Sequence, residues 1–263
     1  MKEEKVYFEN QGQKIEGILH LPENKTNSLV ILVHGFTGSR DGPGKIFEKM
    51  AKRLTPENFA VLRFNFRFTT DDWNEFHKMT MRGEASDLKL IINEMSKRYN
   101  NIGLVGESLG GSLSILSYNE KVKCLVLWYT NLYPRETRLG KKILSEESKI
   151  EIEKTSFLKL KTSKGQEFKI GKDFIEEIKA TDIIPYVKNI LSPTLLIHGD
   201  ADSIVPFNHS EKILNLLRGP KKLERIVGAN HAWENEEYTD YNLEAQEKAI
   251  ELTADWINKW LKD

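Results

Sequence analysis

The sequence predicts an α/β domain: a mostly parallel eight-stranded sheet with helices on both faces and one inserted subdomain. Three observations predict it. Short apolar runs alternate with helical patterns along the 263 residues, as in strands joined by helical crossovers. Some runs, such as SLVILVH (28–34), are almost continuously apolar, as a strand covered on both faces must be. Between the strands ending at Thr130 and beginning at Pro193 lie 62 residues, too many for a loop in a compact domain.

The elements follow in order. KVYFEN (5–10) and KIEGILHL (14–21) read as strands about a turn at Gln11 and Gly12. SLVILVH is the third strand, and KIFEKMAKRL (45–54) is a helix. FAVLRFNF (59–66) is the fourth strand, followed by a polar loop. From Glu84 to Tyr99, residues Leu88, Ile91, Ile92, Met95 and Tyr99 share one helical face. NIGLVGE (101–107) is a strand, LGGSLSILSY (109–118) a helix and KCLVLWYT (123–130) a strand. PTLLIHG (193–199), HSEKILNLL (209–217) and KLERIVG (222–228) read as strand, helix and strand. The chain closes on a helix with Ala249, Leu252, Thr253, Trp256, Ile257 and Trp260 on one face. Within the long interval, FLKLKTSKGQEFKI (157–170) holds two alternating runs about Ser163, Lys164 and Gly165, a hairpin pattern, and KDFIEEIK (172–179) is helical. Residues 1–131 and 187–263 are therefore assigned to the core, and 132–186 to an inserted cap.

Composition excludes several function classes. Basic and acidic residues number 39 each, so no general affinity for nucleic acid or anionic membranes is expected. No stretch is long and apolar enough to span a bilayer. The N-terminus has no apolar signal core, and the expectation is a cytoplasmic protein. A homo-oligomer is not indicated. Cys124 is the single cysteine, set in an apolar run, and reads as a core thiol. There are no paired cysteines, no His-Glu-x-x-His and no dinucleotide fingerprint, so no metal or cofactor is implied.

The chemistry is carried by short motifs. LVHGFTGSRDGPGK (32–45) contains four glycines between a strand and a helix. It is not a phosphate-binding P-loop. Ser39 stands at the first glycine position, and Ile46 stands where the magnesium-binding hydroxyl belongs. VGESLGG places Gly106, Ser108 and Gly110 as Gly-x-Ser-x-Gly in a strand–turn–helix context. A sharp turn there exposes Ser108 and leaves no room for side chains two residues before and after it. Ser108 needs a base. Of six histidines, His231 lies just past the last strand, at the sheet edge where Ser108 emerges. His34 and His198 precede glycines and read as structural, and His209 reads as an outer helix position. The base needs a carboxylate, and HGDADSIVP offers both Asp200 and Asp202.

Together HGFTG, GESLGG, HGDADSIVP and GANHAW resemble the α/β-hydrolase superfamily over essentially the whole chain. The resemblance implies Asp202 as the acid, through the pattern Gly-x-x-Asp-x-x-Val-Pro from Gly199 to Pro206. The order Ser108, Asp202, His231 is that of the superfamily. It also implies a use for the glycine-rich loop: the backbone N–H of Phe36, with that of Leu109, would hold the oxyanion. The hairpin-containing cap is similar to that of feruloyl and cinnamoyl esterases and, more distantly, of monoacylglycerol lipases. The chain departs from their Arg-Gly-x-Gly-x-Ser loop, having FRFTTDDW (66–73) without glycine.

Aromatic residues near this edge are candidates for an acyl pocket: Trp128, Tyr133 and Trp233, with Phe36 and Tyr129. The stretch 149–172 carries seven lysines against three glutamates and reads as a solvated face, with steering of anionic substrates as the alternative. The expected activity is serine carboxylic-ester hydrolysis of a small-molecule acyl or aryl ester, including hydroxycinnamates or monoacylglycerols. The same apparatus also serves a thioester, lactone, carbon–carbon bond or small peptide, and some proteins of this fold bind ligands without turnover.

Overall fold

The computed structural model describes residues 2–69, 73–162, 165–235 and 240–262. Strands β1 (Lys2–Asn10) and β2 (Gln13–Leu21) form an antiparallel hairpin. Its turn residues Gln11 and Gly12 have φ of 52° and 73°, the left-handed pair that suits the strand twist. The chain continues through β3 (Ser28–Val33), α1 (Ile46–Leu54), β4 (Ala60–Phe64), α2 (Met81–Met95), β5 (Asn101–Glu107), α3 (Leu109–Ser117) and β6 (Val122–Trp128). The inserted region contributes α4 (Arg138–Ile143), α5 (Glu146–Thr155), β7 (Phe157–Lys161), β8 (Glu167–Gly171) and α6 (Lys172–Ala180). The core resumes with α7 (Ile184–Val187), β9 (Thr194–Gly199), α8 (Asn208–Leu216), β10 (Lys221–Ile226) and α9 (Leu243–Leu261).

The main sheet runs β1-β2-β4-β3-β5-β6-β9-β10. It is parallel from β4 to β10, and β2 is antiparallel to both of its neighbours. Side-chain alternation divides the core in two. In β3, Leu29, Ile31 and Val33 point to the face covered by α2 and α3. Val30 and Leu32 point to the face covered by α1 and α9. That is why this strand is apolar at every position but its first. Cys124 belongs to the second face, and burial pushes its thiol well above its ordinary value.

Helix boundaries shift where caps govern them. The sequence periodicity places the α2 helix at 84–99, but it spans 81–95. Thr80 accepts from the Gly83 N–H at 3.0 Å and so starts the helix a turn earlier. In the inserted region β7 and β8 pair antiparallel, as the alternating runs predict. The expected turn residues Ser163 and Lys164 lie outside the described residues. Helices α4 and α5 have no counterpart in the sequence periodicity. They are short and Lys/Glu-rich with few apolar positions, and Thr137 and Ser145 cap them through the Gly140 and Ser148 N–H groups.

The inserted region packs onto the sheet's first face: Leu158, Leu160, Phe168, Phe174 and Ile178 share one apolar cluster with Leu109 and Leu132. A polar clamp joins the two parts. The buried Glu177 of α6 accepts from the Met81 N–H at 2.5 Å and the Arg82 N–H at 3.3 Å, at the start of α2. Glu177→Ala is expected to lower unfolding free energy by about 1–2 kcal/mol in urea titrations, the range for losing a helix cap.

Candidate active site

Ser108 lies between the end of β5 and the start of α3 with φ 50° and ψ −118°. A non-glycine residue held there costs about 1–3 kcal/mol. The turn is so tight that a methyl group on Gly110 would sit 2.2 Å from the Val33 carbonyl oxygen. One on Gly106 would sit 2.6 Å from the Gly110 oxygen. Both glycines of the motif are therefore steric requirements.

His231 opens a short 3-10 turn after β10, with its N–H donating to Asn230 Oδ1 at 2.9 Å. Its Nε2 is 3.2 Å from Ser108 Oγ, and its Nδ1 is 2.7 Å from Asp202 Oδ2. An ionised carboxylate only accepts, so Nδ1 carries the proton and Nε2 presents its lone pair to the serine hydroxyl. Asp202 Oδ1 accepts the Ile204 and Val205 N–H groups, each at 2.8 Å. Asp200 instead accepts from the Gly228 N–H at 2.7 Å and faces Arg225. The fold thus separates the two aspartates and brings only Asp202 to the histidine.

The electrostatics are reciprocal. Burial pushes Asp202 up, but His231 and hydrogen bonds from His198 and His231 outweigh it, so its carboxyl lies well below the usual range. Burial pushes His231 down, but the Asp202 charge and hydrogen bond outweigh it, and its pKa is raised. His198 is more than a strand-end residue. Its Nε2 faces two acceptors, Asp202 Oδ2 at 3.2 Å and the Val205 oxygen at 3.0 Å, so it carries the proton there. Its Nδ1 then accepts from the Ser210 hydroxyl at 2.7 Å.

The glycine-rich loop folds over the elbow. A methyl on Gly35 would meet the Glu107 oxygen and Ser108 Cβ at 3.1 Å and lie 3.6 Å from the Leu109 nitrogen. Phe36, the next residue, and Leu109 both border the cavity beside Ser108. The loop is fixed at three points. Gly35 N–H donates to Glu107 Oε1 at 3.2 Å, and Gly38 N–H donates to the Gly35 oxygen at 3.0 Å. His34 Nδ1 donates to the Gly35 oxygen at 2.9 Å, while its Nε2 accepts from the Phe66 N–H at 3.2 Å. That pattern requires a neutral imidazole, and burial lowers the His34 pKa to about 4. Glu107, whose carboxyl burial pushes up, also accepts from Tyr129 OH at 2.6 Å. The Tyr129 ring then packs edge-on against His231 at 4.7 Å.

Above Ser108 and His231 lies a cavity of about 660 Å³, walled by core residues such as Val205 and by the inserted Leu139, Leu160, Phe168, Phe174 and Ile178. Three pocket expectations need correction. Trp128 is buried on the opposite face of the sheet, where its Nε1 donates to Thr253 Oγ1 at 3.0 Å. The strand alternation that sends Leu127 toward α3 sends Trp128 toward α9. Trp233 is fully buried against Trp128 and Tyr129. Tyr133 packs on His209 and under Lys212, away from the cavity lining. His209 itself is buried rather than on an outer face, and Leu132 N–H donates to its Nδ1. Among the described residues, the cavity aromatics are Phe36, Phe168 and Phe174, with the Phe36 and Phe174 rings stacked at 5.4 Å. The buried phase of the β8 alternation was the available signal for Phe168. Among the described residues, no group of three His, Cys, Asp or Glu side chains could hold a metal.

Comparison with known proteins agrees with this architecture. The BD-FAE family model matches residues 19–217, and the dienelactone hydrolase family model matches 178–261. An uncharacterised protein of Acanthamoeba polyphaga mimivirus is 25% identical over 260 residues, covering 97% of this chain and 81% of that one. YfhR of Escherichia coli K12, also uncharacterised, is 20% identical over 213 residues, covering 80% of this chain and 65% of its own. Among solved structures, Est1E from Butyrivibrio proteoclasticus with ferulic acid bound superposes with TM-score 0.78 at 21% identity, covering 96% of this chain and 99% of that one. Alpha/beta hydrolase domain-containing protein 10 from mouse gives TM-score 0.74 at 20% identity, covering 97% and 99%. The fold is that of the α/β-hydrolases. The chain belongs to the BD-FAE family and is a hydrolase of the esterase type.

Two outcomes follow from the geometry. Asp202→Asn should reduce kcat about 10³–10⁴-fold by reversing the His231 tautomer, whereas Asp200→Asn should stay within a few-fold; equal losses would contradict the assignment. With His231 as general base, which must be neutral to accept a proton, activity should fall as pH drops through its pKa. Because that pKa is raised from 6.5, the acid limb of kcat/KM should lie above pH 6.5.

Proposed function

We propose that the protein is a serine carboxylic-ester hydrolase working through an acyl-enzyme. The observation that carries this reading is the Ser108–His231–Asp202 chain, with contacts of 3.2 and 2.7 Å, at the base of the cavity. His231 Nε2 takes the Ser108 proton as Oγ attacks the ester carbonyl. The N–H groups of Phe36 and Leu109 receive the tetrahedral oxyanion, and the α3 N-terminus adds its dipole. His231 then protonates the departing alcohol. Water attacks the acyl-enzyme with His231 as base, and Ser108 is regenerated. Asp202 holds the imidazole in the working tautomer and stabilises its charged form.

Residues 132–186 act in this scheme as a cap whose apolar side chains close the acyl pocket. The contacts of Leu160, Phe168 and Phe174 with the cavity support that role. Aryl esters such as hydroxycinnamates are first candidates, in keeping with the ferulic acid complex of Est1E. The partial match to the dienelactone hydrolase family supports a second reading within the same chemistry. A lactone is an intramolecular ester, and the same steps open it.

The test is hydrolysis of p-nitrophenyl esters from acetate to laurate, of methyl ferulate and of a δ-lactone. Ser108→Ala is assayed beside the native chain. Turnover that falls at least about 10³-fold in the variant, with fluorophosphonate labelling confined to native Ser108, is the expected result. Folded native protein with neither turnover nor labelling would overturn the proposal.

A further inference from the structure

The hydrolytic scheme leaves one part of the cavity wall without a task. Asn131 follows β6, is 6% exposed and borders the cavity. Its side-chain oxygen has no hydrogen-bond partner among the described residues. That oxygen is an acceptor closed off from the cavity and cannot bind an anion, so the chemistry of this wall falls to its cations. The backbone here is held in place, since Ser112 Oγ donates to the Asn131 carbonyl at 2.5 Å.

Seven residues later, α4 places Arg138 and Lys142, one helical turn apart, on the same cavity. The Arg138 N–H donates to the Ile204 oxygen at 3.0 Å, two residues beyond Asp202, so α4 starts against the acid loop. Neither cationic head has an ion-pair partner among the described residues. The third cation on the cavity, Lys161, is paired with Glu167 at 2.9 Å. Among the described residues, the one acidic side chain lining the cavity is Glu234, three residues beyond His231.

We propose that Arg138 and Lys142 form a subsite for a carboxylate carried by the ester substrate, on its acyl or its alcohol part. This rests on the esterase reading above and specifies its substrate class. The Arg138 guanidinium matches a planar carboxylate, and Lys142 adds a second charge. The apolar lining takes the hydrocarbon between ester and carboxylate.

The test compares kcat/KM for monomethyl adipate with methyl hexanoate, and for 4-acetoxybenzoate with 4-methylphenyl acetate. At low salt at least one anionic ester should be preferred about tenfold, the size of one charge-assisted hydrogen bond, and the preference should shrink as salt rises. In Arg138→Gln/Lys142→Gln the anionic-to-neutral ratio should fall to about one, while Lys141→Gln keeps it. A second readout needs no turnover: calorimetric Kd values for adipic acid monoanilide and hexananilide, in native and double-variant protein. If no ester is hydrolysed, the esterase reading fails and these Kd values alone judge the subsite. Ratios near one for the native chain in both assays, or a ratio the double variant leaves unaltered, would overturn it.

Discussion

Ser108 is held at φ 50°, ψ −118°, and the rest of the site is arranged around keeping it there. No side chain prefers that conformation, so the surrounding structure must enforce it. Enforcement comes from close packing of backbone on backbone. Gly110 lies against the Val33 and His34 carbonyls, and Gly106 lies against Gly110. These contacts tie the end of β3, the end of β5 and the first turn of α3 into one rigid junction. The loop that leaves β3 therefore starts against the elbow, and that brings Phe36 and Leu109 to the same cavity.

Polar connections extend this junction to the base. Glu107 holds the Gly35 N–H with one oxygen and the Tyr129 hydroxyl with the other. Tyr129 in turn packs on His231. On the other side, Asp202 is fixed by two backbone N–H groups and by His198, which Ser210 orients. Each group that would move a proton thus sits on a partner that is itself fixed, and the short hydrogen bonds need little reorganisation.

The inserted region reaches the same centre through aromatic packing. The Phe36 ring lies between core and insertion, stacked on Phe174 and edge-on to Phe76 and Phe168. The residue whose backbone would bind the oxyanion is therefore held by its side chain to the element that closes the pocket. Displacing α6 would disturb the oxyanion N–H as well as the cavity wall. Asn131 and α4 lie on this cavity too, and the start of α4 is hydrogen-bonded to the loop that carries Asp202.

The sequence by itself determined the order of strands along the chain, the helical faces and the glycine-flanked elbow at Ser108. Those features rest on local constraints. A doubly covered strand must be apolar throughout, a tight turn must have glycine at its crowded positions, and periodicity marks the buried side of a helix. The choice of Asp202 over Asp200 needed the superfamily pattern, because adjacent loop positions differ only in direction, which the Ile204 and Val205 N–H groups set. Tertiary structure alone decided the pocket. Trp128, Tyr133 and Trp233 all lie near the catalytic edge in sequence, yet strand phase sends Trp128 and a loop turn sends Trp233 into the core, while Tyr133 packs against His209. Phe168 and Phe174 lie far from Ser108 in sequence, and only the packing of the inserted region brings them to it. Short polar helices such as α4 leave little periodic signal, so the placement of Arg138 and Lys142 on the cavity was likewise decided by packing. Where a side chain points across an interface depends on the partner surface, and no local rule in the chain encodes that.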